Sequence, residues 1–427
     1  MSVGIRISSA CRILLSAEFF MARRPVLDRR QRLFAHELVF CAVEEGAAGT
    51  DGDAGGASGP AVIEDVCRHG LPRVLGDLPG IVRVGEAAVL SDVILQFPAA
   101  LTMLELCPDR LPSPALQARC EQLAAAGYCF ALRGEGDGAS LETLPAPAMI
   151  IVDIGGKDDQ VLKACIDRWR PLGTQVCAAG VDTREQYRRC LALGFDCFQG
   201  YFFTEPELQQ GKGFAPSQLA IVELLALLAT DADEALVERV IKANVPLSLS
   251  LLRLANAPAF TTHPIDSLRQ AMMALGRNQL QRWLHMLLYE ETPGRGSPVQ
   301  ALGSLAAARG RLMELAAQAL MPGNRGVADT AFTVGIMSLM DTLFGMPMED
   351  ILREVKVVEE VRDALLQRQG LHGKLLNLAV GAESLRHPEQ LRAAAREARL
   401  SCNDLYLLQL AAFEWSDHAG RILHEPN

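Results

Sequence analysis

Short apolar runs recur through the first half of the chain, and helical spacing takes over in the second. Two runs open the pattern, Phe19 to Asp28 and Phe34 to Cys41, and the polar, Arg-rich turn between them predicts a hairpin. Further strand-like runs follow at Ile81–Val84, Thr102–Leu106, Cys129–Arg133, Met149–Ile154, Gln175–Val181 and Cys197–Phe203. Amphipathic segments such as Pro114–Ala126, Gln160–Arg168 and Arg184–Leu193 lie between them. This alternation predicts α/β architecture of the parallel barrel type, in which the C-terminal ends of the strands carry any chemistry.

The pattern changes across Gln199 to Pro216, where Pro206, Gly211, Gly213 and Pro216 stop regular structure and mark a joint between domains. Beyond it Leu236, Val237, Val240 and Ile241 form one apolar face, and Leu247, Leu251, Leu254 and Ala255 form the next. Ile265, Leu268, Met272 and Leu275 run up to Gly276, and Leu280, Trp283, Leu284 and Leu287 continue past it. Such stripes predict an all-α bundle whose leucines and methionines are core. The expected division is an extension over 1–18 that does not order itself, a barrel over 19–205, a helical domain over 206–390 and a helical tail over 391–427. The tail either closes the bundle or joins subunits.

Composition narrows the function classes. At 427 residues, with 49% apolar and 22% charged residues, the chain suits two or three globular domains. A net charge of −10 argues against a general binder of nucleic acid or anionic membrane. No run approaches the ~18 apolar residues of a membrane span. Ten of the eleven cysteines precede residue 200, and no C-x-x-C pair or zinc spacing occurs. Cys129, Cys177 and Cys197 sit in apolar runs, where a reduced thiol acts as a small hydrophobe, so a reducing cytoplasm is expected. Residues 44–60, rich in Gly, Ala, Asp and Ser, are expected to form a mobile loop, and Asp51 and Asp53 there lack the spacing of a calcium loop. Met21 is a candidate natural start.

The run Ala22-Arg23-Arg24-Pro25-Val26-Leu27-Asp28 with Glu37-Leu38-Val39-Phe40 resembles the opening of EAL domains. Gly180-Val181-Asp182-Thr183 and Gln199-Gly200-Tyr201 resemble that family's later motifs, in the same order. The resemblance implies a modified (β/α) barrel whose active members hydrolyse cyclic di-GMP with divalent metals. It matches the family's first ligand to Glu37 and a later one to Glu105. The metal-binding Asn has no counterpart, since no asparagine precedes Asn244. The paired aspartates fall on Arg133 and Gly134, the Lys two positions before Asp153 on Ile151, the first Glu of E-G-V-E on Ala179, and the phosphate-facing Arg on Cys41. Glu37, Glu105, Arg133, Asp153, Ala179 and Gln199 are thus expected to be vestigial positions without metal or cofactor. Arg133 is expected to neutralise the carboxylates.

The second half is similar to the HDOD family. The residues are Leu251-Leu252-Arg253-Leu254-Ala255-Asn256, Ser267-Leu268-Arg269-Gln270-Ala271, Gln281-Arg282-Trp283-Leu284, Gly335 to Asp341 and Gly345 to Leu352. HDOD resembles the HD phosphohydrolase fold without its His-Asp pair, and here the dipeptide falls on Ser338-Leu339. Asn256, Arg253 and Trp283 are candidate partner-binding residues, with helix capping as the alternative for Asn256. The implied function is a cytoplasmic bacterial regulator that is no enzyme and acts by protein–protein contact with other signalling proteins. Self-association into a homodimer is left open. The alternatives are a cyclic di-GMP receptor that does not hydrolyse and, remotely, an active phosphodiesterase. Cys41, Arg133 and Ile151 count against cyclic di-GMP as a ligand.

Overall fold

The computed structural model describes residues 18–42, 60–69, 74–107, 113–134, 144–208, 214, 216–229, 233–257, 260–261, 263–290, 299–355 and 357–424. Of the extension expected over 1–18 only residue 18 is described, and of the loop expected over 44–60 only Pro60, which opens a helix; Asp51 and Asp53 lie outside the described residues.

Eight strands close a barrel in chain order. They are β1 (Phe19–Asp28), β2 (Leu33–Ala42), β3 (Gly80–Arg83), β4 (Thr102–Leu106), β5 (Cys129–Arg133), β6 (Met149–Asp153), β7 (Gln175–Ala179) and β8 (Cys197–Gln199). The tight turn after Asp28 forces β1 and β2 to be antiparallel, and β1 also meets β8 antiparallel. All other pairs are parallel. Helices α1 (Pro60–His69), α2 (Glu86–Leu90), α3 (Pro114–Ala125), α4 (Asp159–Trp169) and α5 (Arg184–Leu193) lie between strands. Their starts are fixed locally: Ser113 and Asp158 accept from backbone amides of α3 and α4, and Thr183 with Gln186 makes a capping box on α5.

Period-two alternation sorts the strand residues. Val26, Ala35, Ile81, Ala131, Met149, Ile151, Cys177, Ala179 and Cys197 fill a small apolar cluster of their own, separate from the larger core that the helices share. Cys177 and Cys197 are therefore the small hydrophobes expected of them, whereas Cys129 at the start of β5 is exposed. The last strand is shorter than its apolar run predicts. It ends at Gln199 because Gly200 takes φ 144°, where a Cβ would lie 1.9 Å from the Val181 carbonyl oxygen, and Phe202–Thr204 turns into a 3-10 helix.

Beyond the joint the chain is helical: α6 (Pro216–Ala229), α7 (Glu234–Ala243), α8 (Val245–Ala255), α9 (Leu268–Glu290), α10 (Val299–Leu320), α11 (Arg325–Met337), α12 (Met340–Phe344), α13 (Met348–Val355), α14 (Glu359–Gln367), α15 (Gly370–Ser384), α16 (Pro388–Glu397) and α17 (Cys402–His424). Gly276, with φ 70° and ψ 168°, interrupts α9 where the sequence pattern stops. The stretch Arg325–Phe344 is long and apolar enough to cross a membrane, contrary to the expectation from composition. It is broken into α11 and α12 and packs mostly inside the bundle.

The tail proves to be part of both halves. From α17, Tyr406 meets Phe19 edge-on with ring centroids 5.2 Å apart, and Gln409 Nε2 donates to the Met21 carbonyl at 2.9 Å. Ser416 donates to the Ser304 carbonyl in α10. Arg23 makes a two-pronged pair with Asp417 at 2.8 and 2.9 Å and lies over the Phe413 ring. The outer face of β1 is thus a bundle contact.

Candidate functional site

The mouth of the barrel is built by strand register. Arg24 on β1 stands opposite Glu37 on β2, and Arg83 on β3 opposite Glu105 on β4. Arg133 closes β5 and Gln199 closes β8. Together they form one hydrogen-bonded group. Arg133 Nε donates to Glu105 Oε1 at 2.5 Å, and its Nη2 donates to Glu37 Oε1 at 3.1 Å and to Gln199 Oε1 at 3.3 Å. Arg83 Nε donates to the same Glu105 oxygen at 2.8 Å and lies 3.7 Å from Glu37. Arg24 stands 3.6 Å from the other Glu37 oxygen.

The electrostatics follow from that packing. Glu105 is wholly buried, which by itself raises its pKa, yet Arg133 and Arg83 overcome burial and hold the carboxyl below its ordinary value. Among the described residues three guanidinium groups meet two carboxylates there. Glu105 Oε2 and Gln199 Nε2 are buried there without a hydrogen-bond partner.

The remaining expected positions fall elsewhere. Asp153 is exposed and turns into the following loop, where it accepts from the Gly155 amide at 2.8 Å. Ile151 and Ala179 belong to the apolar interior. A divalent cation needs several oxygen ligands around one point. Here the candidate carboxylates are engaged by guanidinium groups and the neighbouring inward positions are aliphatic, so these residues do not fit a metal. Among the described residues no other group of His, Cys, Asp and Glu could hold one. Arg83 was missed in the sequence, although it follows Ile81 by two positions and therefore points to the same side.

A second polar centre lies in the helical half, at the position matched to the missing dipeptide. Arg309 on α10 is buried and makes a fork with Glu383 on α15 at 2.8 and 2.7 Å. Its Nη1 donates to Ser338 Oγ at 2.6 Å. Burial works against its charge, and the Glu383 carboxylate more than offsets this, so its pKa stands above the ordinary value.

Comparisons with known proteins divide the chain at the same joint. The EAL domain family matches residues 142–206, and the HDOD domain family matches residues 216–344. An EAL domain and an HDOD domain are thus found in that order along the chain. It is 29% identical over 378 residues to the uncharacterized protein YuxH of Bacillus subtilis, covering 86% of this chain and 90% of that protein. It is 25% identical over 368 residues to a Vibrio cholerae protein named cyclic di-GMP phosphodiesterase CdgJ, covering 84% and 83%. An EAL domain protein structure from Listeria monocytogenes aligns with 15% identity and a TM-score of 0.35, over 44% of this chain and 87% of that one.

Within the HDOD bundle the candidate partner residues separate. Asn256 caps α8 through Leu252 and pins the next loop by exchanging bonds with Ile265 at 2.7 and 2.8 Å. Both protons of its amide are donated within the chain, and the residue is exposed. Trp283 is 4% exposed and packs in the core. Arg253 is exposed.

An open cleft of about 470 Å³ lies at the opposite end of the EAL barrel, lined by Arg29, Arg30, Arg32 and Arg170 among others. Three of these arginines are already engaged, by the Phe195 carbonyl, Asp28 and the Gly194 carbonyl.

Proposed function

We propose that the chain is a cytoplasmic regulatory protein beside cyclic di-GMP signalling, with an EAL barrel that does not hydrolyse the nucleotide and an HDOD bundle that contacts other signalling proteins. One observation carries the reading. The Arg133 guanidinium joins Glu37 to Glu105, the two carboxylates matched to metal ligands. A fixed cation there holds one oxygen of each acid in the place where a metal would bind. The likeness to a protein named cyclic di-GMP phosphodiesterase supports the signalling setting.

The test is turnover of cyclic di-GMP and its linear product under Mg²⁺ or Mn²⁺. No hydrolysis above a protein-free blank is expected. Turnover that Glu37→Gln abolishes refutes the proposal.

A second reading has its own support. The mouth gathers the guanidinium groups of Arg24, Arg83 and Arg133, and the buried Gln199 Nε2 is a donor without a partner there, which suits an anionic ligand. A non-hydrolysing cyclic di-GMP receptor would use them. Calorimetric titration with cyclic di-GMP, with and without Mg²⁺, separates the readings: saturable heat without turnover favours the receptor, and no heat favours a protein partner alone.

A further inference from the structure

The last carbonyls of a helix are partial negative charges that attract cations. In α15 the terminal carbonyl, on Ser384, accepts from Arg24 Nε at 3.0 Å and Nη2 at 2.5 Å. Arg24 is the same residue that faces Glu37 in the barrel mouth. The carbonyl one residue earlier, on Glu383, accepts from Tyr201 Oη at 2.7 Å. Asp182 accepts from the Tyr201 amide and pairs with Arg386, two residues beyond the helix. The end of an HDOD helix is therefore held by three groups of the EAL barrel, one of them a member of the charged ring.

The same helix end reaches the second polar centre. The side chain of Glu383 is the carboxylate that grips Arg309, and Arg309 in turn grips Ser338 at the break between α11 and α12. A path of contacts runs from Glu37, 3.6 Å from Arg24, through the hydrogen bonds of Arg24 to Ser384, the adjoining Glu383 and Arg309 to Ser338. Each link joins groups in which at least one partner is buried or partly buried, so salt screens them weakly.

We propose that the end of α15 transmits the state of the barrel mouth to the α11–α12 break. Arg24 is the shared element, because its guanidinium divides between a carboxylate of the mouth and a helix carbonyl of the bundle. An anion entering the mouth competes for Arg24 and loosens its hold on Ser384. The loosened end shifts Glu383, and with it Arg309 and Ser338. The coupling is reciprocal, as linkage requires. This inference rests on the regulatory reading of the mouth. Its test uses no ligand and no turnover, so the two can fail separately.

Hydrogen–deuterium exchange on the full-length protein reads each link. Arg24→Met removes both bonds to Ser384. It is expected to speed exchange about tenfold over residues 381–386 and also over 335–342, on the far side of Arg309. Arg309→Met is expected to speed exchange over 381–386 and in β1 around Arg24. The double variant should fall short of the product of the two single fold-changes. Arg23→Met, which breaks the separate contact to Asp417, should leave 335–342 unchanged. If Arg24→Met does not fold, Arg24→Lys replaces it, since a point charge keeps the attraction to Glu37 but loses the planar fork on the carbonyl. An effect of Arg24 substitution that stops at Ser384, or an equal effect of Arg23→Met on 335–342, overturns the proposal.

Discussion

Replacing Arg133 with Met tests how the barrel mouth is held together. The substitution keeps an unbranched side chain and removes the guanidinium that joins Glu105, Glu37 and Gln199. Glu105 then keeps Arg83 at 2.8 Å, and Glu37 keeps Arg24 at 3.6 Å and Arg83 at 3.7 Å. Losing one partner of a buried ion pair costs about 3–5 kcal/mol when the other charge is stranded. With Arg83 still in place the expected loss is about 2–3 kcal/mol, or roughly 4–12 °C in the unfolding midpoint of a domain this size.

The dependence on pH makes the prediction specific. In the parent protein the Glu105 carboxyl is held below its ordinary value, so the unfolded state binds its proton more readily. The resulting stabilisation is present above the unfolded pKa and fades as pH falls through the folded one. Without Arg133, burial gains ground and the folded carboxyl takes up a proton more readily. The penalty of the substitution should therefore be largest near neutrality and shrink towards about pH 4.5. Urea denaturation of parent and variant at about pH 7.5 and about pH 4.5 measures the difference directly. A loss below about 0.5 kcal/mol, or one equal at both pH values, would refute the ion-pair account of the mouth.

Other outcomes follow from single contacts. Gly200→Ala places a Cβ against the Val181 carbonyl at a φ of 144° and should cost several kcal/mol, about 3 or more, seen as loss of folded protein at 37 °C. Gly335→Val should separate α10 from α11, because a Cβ there would lie 2.6 Å from the Gly310 Cα; a lowered melting temperature measures it, and an unchanged one contradicts the close crossing. Burial holds His285 down to about 4, with a backbone bond to Gln281 acting upward, so the unfolded state takes its proton first. Stability should fall by up to about 3 kcal/mol as pH drops from about 6.5 to about 4, and His285→Leu should flatten that slope.

The periodicity alone determined the strand and helix order, because burial repeats every two residues in a strand and every 3.6 in a helix. Thr102–Leu106, Cys129–Arg133 and Arg184–Leu193 are elements with those same ends in the structure. Gly276 was legible as a helix break for the same local reason. Motif order made the EAL and HDOD resemblances recognisable. Contacts between distant residues were not. Nothing local to Arg83 announces that it shares Glu105 with Arg133, or to Asp182 that it pairs with Arg386. The tail had an apolar stripe but no stated partner, and only the closed barrel, presenting Phe19, Met21 and Arg23 on one outer face, assigns α17 to it. Local pattern reports which side of an element is buried; what buries it depends on where chain segments hundreds of residues away come to rest, and that is settled by packing alone.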